Sequence, residues 1–314
     1  MTSTSSPPRT RAWGTTDLMM LVTVMIWGLN FVAVKLVLRE FSPMAFIGLR
    51  FTMATAVMWL FLWQRTRGPN SNESVGVLRR DVLLIIGLGL LGHTVYQLLF
   101  VYGMSLTTAA NSSLLLATAP IWVAVLGYLL HIERISRVTW YGILLSFCGI
   151  LILILGGGGR VDLGGATMLG DILLLGCAIV WAVHTTASKP LLARYSPLKM
   201  TSWAMLAGTI PLVIISIPAV REQDWAAITP VGWIAFLFST LLSVVVGYLV
   251  WYTSVQRVGN ARTAVYSNLT PVFAIIFAWI ILDSALMPLQ LVGGAVVLAG
   301  LILTRRGRVG QRTA

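Results

Sequence analysis

The sequence predicts an all-α integral membrane protein with ten transmembrane helices, arranged as two inverted five-helix repeats. Three observations carry that expectation. Only 10% of the 314 residues are charged and 57% are hydrophobic, whereas a soluble globular chain carries roughly 25% charged residues. The apolar residues fall into long continuous runs, close to the ~20 residues that a bilayer-crossing helix needs. And a set of rare residues recurs in the same order half-way along the chain.

The runs are Leu18–Leu38, Pro43–Trp63, Val82–Met104, Ser112–Leu130, Val138–Leu155, Met168–Ser188, Leu198–Pro218, Val231–Ser254, Thr263–Leu282 and Pro288–Thr304. An unpaired backbone amide is costly in hydrocarbon, so each run is expected to be helical. The runs are continuous and do not alternate with period two, which argues against a lipid-facing β-barrel. Leu18–Leu38 is too long for a signal-peptide core and has no A-x-A site after it, so it reads as a retained first helix. Ten spans with short connections leave no room for a soluble catalytic domain. The expected organisation is a disordered Ser/Thr/Pro-rich tail over 1–16, a first repeat over 17–155 and a glycine-rich joint over 156–167. A second repeat over 168–304 and a basic tail over 305–314 complete it.

Charge orients the spans. With the N-terminus in the cytoplasm, sixteen Lys and Arg residues fall in cytoplasmic segments and four in outer ones. The excess of positive charge inside places both termini in the cytoplasm of a cell whose cytoplasmic membrane holds the protein. It also accounts for much of the +12 net charge without a nucleic-acid partner. The expected partners are a lipid bilayer and a small-molecule solute. The oligomeric state stays open, a monomer included.

The repeat is the most informative feature. Asp17, Trp27, Lys35, Ser42 and Pro43 recur as Asp171, Trp181, Lys189, Ser196 and Pro197 at a constant offset of 154. A second register aligns Pro120, Gly142 and Gly149 with Pro271, Gly293 and Gly300 at an offset of 151. Five spans per half is an odd number, so the halves would cross the bilayer in opposite senses. Inverted repeats of this kind are a signature of secondary transporters, which bind solute near the midplane between the halves.

These residues resemble the drug/metabolite transporter superfamily, specifically its EamA-type ten-helix permeases. The matching pieces in the first copy are Trp27-Gly28-Leu29-Asn30-Phe31, Lys35, Pro43, Arg50, Tyr102-Gly103, Pro120, Glu133, Gly142 and Gly149. The second copy keeps Trp181, Lys189, Pro197, Tyr252, Pro271, Asp283, Gly293 and Gly300. It departs at Ala182 and His184, which stand where the first copy has Gly28 and Asn30, and it has Ala204 in place of Arg50. The resemblance implies transport of small metabolites, often export of amino acids or related compounds, across the bacterial cytoplasmic membrane.

Within the spans, candidate solute-binding residues follow from helical spacing. Trp27 and Asn30 share one helix face, as do Trp181 and His184. An aromatic wall beside a hydrogen-bonding group suits a small amphipathic solute, though single tryptophans also serve as packing or interfacial residues. The third span carries His93, Tyr96 and Gln97 on one stripe, and the eighth carries Tyr248, Trp251 and Tyr252 on another. Such stripes line a cavity or hold helices together by hydrogen bonds. Asn111, Tyr266 and Asn268 are weaker candidates of the same kind. Arg50 lies seven residues past Pro43, roughly 10 Å along the helix. It either draws a substrate carboxylate, pairs with another helix, or snorkels to the interface. Lys35 and Lys189 read as interfacial anchors or as gate residues. Pro120 and Pro271 are expected to bend the fourth and ninth spans.

Every carboxylate near a span lies at its end. Proton coupling would rest on His93 and His184, with facilitated diffusion as the rival. Gly87-Leu88-Gly89-Leu90-Leu91-Gly92 matches G-x-G-x-x-G, but no strand precedes it and its glycines suit close helix packing. His131-Ile132-Glu133 lacks the further ligands of a zinc site, and no Walker sequence is present. Cys148 and Cys177 read as small buried residues. No catalytic constellation, metal or cofactor is expected. The functional expectation is a secondary transporter, an exporter by resemblance, working by alternating access. A passive channel and a membrane-embedded enzyme are the alternatives.

Overall fold

The computed structural model describes residues 14–67, 74–107, 109–156, 168–282, 287–307 and 309–311. The chain folds into helices α1 (Thr15–Val37), α2 (Pro43–Arg67), α3 (Arg79–Gly89), α4 (Tyr96–Leu106), α5 (Ala109–Leu116), α6 (Ala119–Leu129) and α7 (Arg137–Gly156). It continues through α8 (Met168–Leu192), α9 (Pro197–Glu222), α10 (Pro230–Leu237), α11 (Gly247–Val258), α12 (Asn260–Tyr266), α13 (Thr270–Leu282) and α14 (Pro288–Arg306). Among the described residues, eight helices are long and apolar enough to cross a membrane. The expected glycine-rich joint lies outside the described residues beyond Gly156. So do most of the N-terminal tail and Asp283. Helix α1 begins at Thr15, and Arg305 and Arg306 belong to α14, so both tails are shorter than the sequence suggested.

The surface is that of a protein made for lipid. Leu83, Ile234, Tyr141 and Ile214 all stand out from the bundle, and Leu83 is 82% exposed. The interior instead holds Ser, Thr, Asn, His and Arg side chains: Thr139, Ser146, His184, Thr185, Thr186, Thr201, Ser202, Ser239 and Asn260 are fully buried. In a bilayer, apolar packing against lipid and against protein are nearly equivalent, so helix association relies on close van der Waals contact and polar contacts.

Helices α7 and α14 show the first of these. A Cβ on Gly142 would stand 2.7 Å from the Gly300 carbonyl oxygen, and one on Gly149 would stand 2.9 Å from that of Gly293. The backbones touch, and Ser146 Oγ donates across the pair to the Val297 carbonyl at 3.1 Å. Helices α2 and α9 show the second. Thr55 and Thr209 share a hydroxyl hydrogen bond of 2.7 Å, and Trp59 Nε1 donates to the Ser202 carbonyl at 3.0 Å.

Two long helices are not regular. A π-helical segment, Leu90–Val95, joins α3 to α4, and a second, Phe238–Val246, joins α10 to α11. Two further apolar stretches change their backbone bonding part-way. α5 stops at Leu116 and α6 starts at Ala119; α12 stops at Tyr266, and a 3-10 turn, Ser267–Leu269, leads into α13. Pro120 and Pro271 sit in the first turns that follow these breaks. Each proline therefore sits next to a local irregularity of its helix, a two-residue turn before Pro120 and a 3-10 turn before Pro271. A proline there lacks only an N–H that a helix start leaves unpaired, so it is well placed to begin the second piece.

The one β-ladder among the described residues pairs Glu133–Ile135 with Val309–Gln311, antiparallel, which ties the basic tail to the α6–α7 connection. Cys177 is buried as expected, but Cys148 is exposed, on the outward face of α7.

Candidate functional site

The π segments and the breaks surround a continuous cluster of rings. Trp181 on α8 stands at its centre, with ring centroids 5.4 Å from Tyr96, 5.9 Å from Tyr248, 5.3 Å from Trp251 and 6.2 Å from His184. Trp251 continues to Trp27 on α1 at 5.5 Å. His184 continues to His93 at 5.3 Å and to Tyr252 at 5.7 Å, and His93 to Tyr248 at 5.4 Å. Thus Trp27, His93, Tyr96, Trp181, His184, Tyr248, Trp251 and Tyr252, chosen from spacing alone, come together from both halves of the sequence. Gln97 is buried beside them on α4. Asn30 lies one turn beyond Trp27 on α1.

The backbone explains how the rings reach one another. In the π segments the widened turns leave carbonyls available to side chains. Ser243 accepts from Trp27 Nε1 at 3.0 Å and Ser239 from Arg50 Nη2 at 3.2 Å. Leu88, at the entry to the first π segment, accepts from His184 Nδ1 at 2.8 Å. Two glycines leave room for these rings. A Cβ on Gly92 would lie 2.2 Å from His184 Nδ1, and one on Gly247 would lie 2.6 Å from Trp27 Nε1. Gly89 also packs tightly, against the Ala204 carbonyl, while Gly87 meets nothing. The G-x-G-x-x-G run is thus a packing surface and a ring seat.

The chemical character of the cluster lies in its unspent polar atoms. Both nitrogens of His93, Nε2 of His184, Oδ1 of Asn30 and Nε1 of Trp251 are buried without a hydrogen-bond partner among the described residues. A carbonyl can only accept, so the His184 proton sits on Nδ1 and Nε2 is a free acceptor in the neutral ring. Most buried polar atoms in proteins are paired. A group of unpaired donors and acceptors amid aromatic faces is what a solute with an apolar body and polar ends requires.

Arg50 does not snorkel. It is 8% exposed, its guanidinium bonds the Ser239 carbonyl and lies 5.3 Å from the Phe46 ring centroid. Its Nε has no partner, and the Tyr248 and Tyr96 phenols are within its electrostatic reach. Lys189 is not an interfacial anchor. Its ammonium pairs with Glu133 at 2.5 Å, and both side chains are buried. Glu133 also accepts from the Asn260 and Ala261 amides at 2.6 and 3.1 Å, so it holds the start of α12. The Lys35 and Asn111 side chains lie outside the described residues. Tyr102 is exposed, and the Tyr266 hydroxyl donates to Asp17.

Sequence reasoning missed three contributors. The Phe51 ring lies 6.0 Å from that of His93, tilted against it, and its only signal was its place next to Arg50. The Ser239 and Ser243 carbonyls carry no signal in composition. Glu133 was visible as a piece of the family resemblance and of a rejected metal motif, and neither pointed to Lys189. Among the described residues no group of His, Cys, Asp and Glu has the geometry to hold a metal ion.

Comparison with known proteins then places the whole chain. The EamA-like transporter family matches residues 14–155 and again residues 168–306. The chain belongs to this family. A "Probable amino-acid metabolite efflux pump" of Escherichia coli (strain K12) is 28% identical over 296 residues, covering 90% of this chain and 92% of the relative. A "Probable terminal-alkyne amino-acid exporter" of Streptantibioticus cattleyicolor is 29% identical over 296 residues, covering 93% and 94%. An "Uncharacterized transporter" of Archaeoglobus fulgidus is 29% identical over 291 residues, covering 92% and 96%. A solved crystal structure superposes with a TM-score of 0.76 at 17% identity, covering 93% of this chain and 96% of its own, and so shares the fold. This EamA-like protein is therefore a multi-pass membrane transporter of a small-molecule solute, as its family and relatives are.

Proposed function

We propose that this EamA-like transporter is a secondary exporter. It moves a small amphipathic metabolite, an amino acid or a related compound, out across the cytoplasmic membrane by alternating access. The observation that carries the reading is the ring cluster with its unpaired polar atoms, assembled from α1, α4, α8, α11 and the first π segment. Relatives named as amino-acid exporters support the solute class and the direction.

Ten spans follow when each π-joined pair, and each broken pair, is counted as one crossing. Two inverted halves, 17–155 and 168–304, are supported by contacts that exchange partners under the repeat. Thr55 and Thr209 are equivalent residues and touch each other, as residues on a two-fold axis do. Gly142 meets Gly300, and their equivalents Gly293 and Gly149 meet in turn.

Rocking between the halves is supported by what ties them. Three ion pairs among the described residues join the first half to the second: Asp17–Arg305, Asp81–Arg194 and Glu133–Lys189. Positive-inside orientation puts all three on the cytoplasmic side. The opposite side is tied by neutral donors, Thr229 to Glu40 and Thr107 to Asp171.

Solute flux in proteoliposomes tests this. A transporter saturates and exchanges labelled against unlabelled solute in counterflow. Linear, non-exchanging flux would establish a passive channel and overturn the reading.

A further inference from the structure

We infer that Arg50 is the anion-binding residue of this transporter, and that its solutes carry a carboxylate seated on the guanidinium beside Tyr96 and Tyr248. The inference rests on the ring cluster being the solute site and adds the charge of what it takes. Arg50 is buried in the bundle, and removing a charge from water is tolerated only when a counter-charge or full hydrogen bonding meets it. The described residues supply neither. The ion pairs among the described residues leave Arg50 out. Its one acceptor among the described residues is the Ser239 carbonyl, and Nε is buried and unbonded.

Five carboxylates at helix ends are already engaged: Asp17 with Arg305, Glu40 with Thr229, Asp81 with Arg194, Glu133 with Lys189 and Asp171 with Thr107. A guanidinium matches a carboxylate in shape and donates two parallel hydrogen bonds to it. With that end fixed, the Trp181 and Trp251 faces meet the apolar body. His184 Nε2 and Asn30 Oδ1 are acceptors suited to an ammonium group. The arrangement fits an α-amino acid with an apolar side chain.

Calorimetric titration of the full-length protein in lipid nanodiscs tests this, using the twenty proteinogenic amino acids and the amide of each one that binds. The expected result is a preference for acid over amide of at least about tenfold, as loss of a charge-assisted hydrogen bond predicts. Arg50→Gln should reduce that preference to within about twofold by weakening the acid alone, and Arg50→Lys should keep it. The Lys variant retains the buried positive charge, so it separates a binding loss from misfolding. Equal binding of acid and amide, or an undiminished preference in Arg50→Gln, overturns the assignment while leaving the solute site in place. Binding by no acid and no amide overturns both. Sodium chloride is titrated in parallel. If chloride gives the only Arg50-dependent heat, the counter-ion is an inorganic anion and the carboxylate assignment is wrong.

Discussion

The buried pair Glu133–Lys189 should be the most energetically asymmetric contact in the protein. Glu133 serves three donors: Lys189 Nζ at 2.5 Å, Asn260 N–H at 2.6 Å and Ala261 N–H at 3.1 Å. Lys189 has Glu133 as its ionic partner, and the two side chains are 9% and 0% exposed respectively. Glu133→Leu strands an ammonium in the interior and releases the start of α12, which should cost about 3–5 kcal/mol. Lys189→Met leaves a carboxylate that keeps two backbone donors, so its cost should be nearer about 1–3 kcal/mol. The double variant removes both charges together. It should therefore lose less than the sum of the single losses, by about 2 kcal/mol. Denaturant unfolding of the purified protein in mixed micelles measures all four corners of the cycle. Losses that add within about 0.5 kcal/mol, or Lys189→Met proving the more costly change, would refute the argument that the carboxylate is the hub.

Four further outcomes are expected. Gly92→Ala should push the His184 ring off its seat, cost about 1–3 kcal/mol as overpacking does, and depress transport; a transport assay with a stability control measures both. Gly149→Val should separate α7 from α14 and lower the melting temperature, with Ala at the exposed Leu144 nearby as the silent control. Trp181→Ala and Gln97→Ala should impair saturable flux while the protein remains folded, as judged by size-exclusion profile; normal kinetics in both would remove the ring cluster from the solute path. Single cysteines at the exposed positions Arg80 and Arg306 should react with an impermeant thiol reagent from the same face of the membrane, and labelling from opposite faces would sink the proposed topology.

Helix existence and position were largely legible in the sequence because hydrocarbon forces every backbone amide into a local hydrogen bond. The expected run Pro43–Trp63 became Pro43–Arg67, and Val138–Leu155 became Arg137–Gly156. Interruptions were less legible. Ser112–Leu130 and Thr263–Leu282 read as unbroken apolar stretches, yet each is split just before its proline. The π segments left no trace, since a change from i→i+4 to i→i+5 bonding alters no composition or period that a short window reveals. The site fared similarly. Residues placed by three-and-four spacing converged, as Trp181, His184, Tyr248 and Trp251 show. Residues whose meaning depends on a distant partner did not. Lys189 meets Glu133 across 56 positions, and Arg50 meets Ser239 across 189, separations no local pattern encodes.

The glycine-lined contact between α7 and α14 limits which parts of the molecule can move. Where Gly142 faces Gly300 and Gly149 faces Gly293, main chain lies directly on main chain. Only short side chains such as Ser146 and Thr304 lie beside it, and they leave little room to absorb sliding. Such a contact behaves as a fixed post. Under the proposed alternating access, any exchange of exposure from one leaflet to the other would then be carried by the remaining helices turning about it.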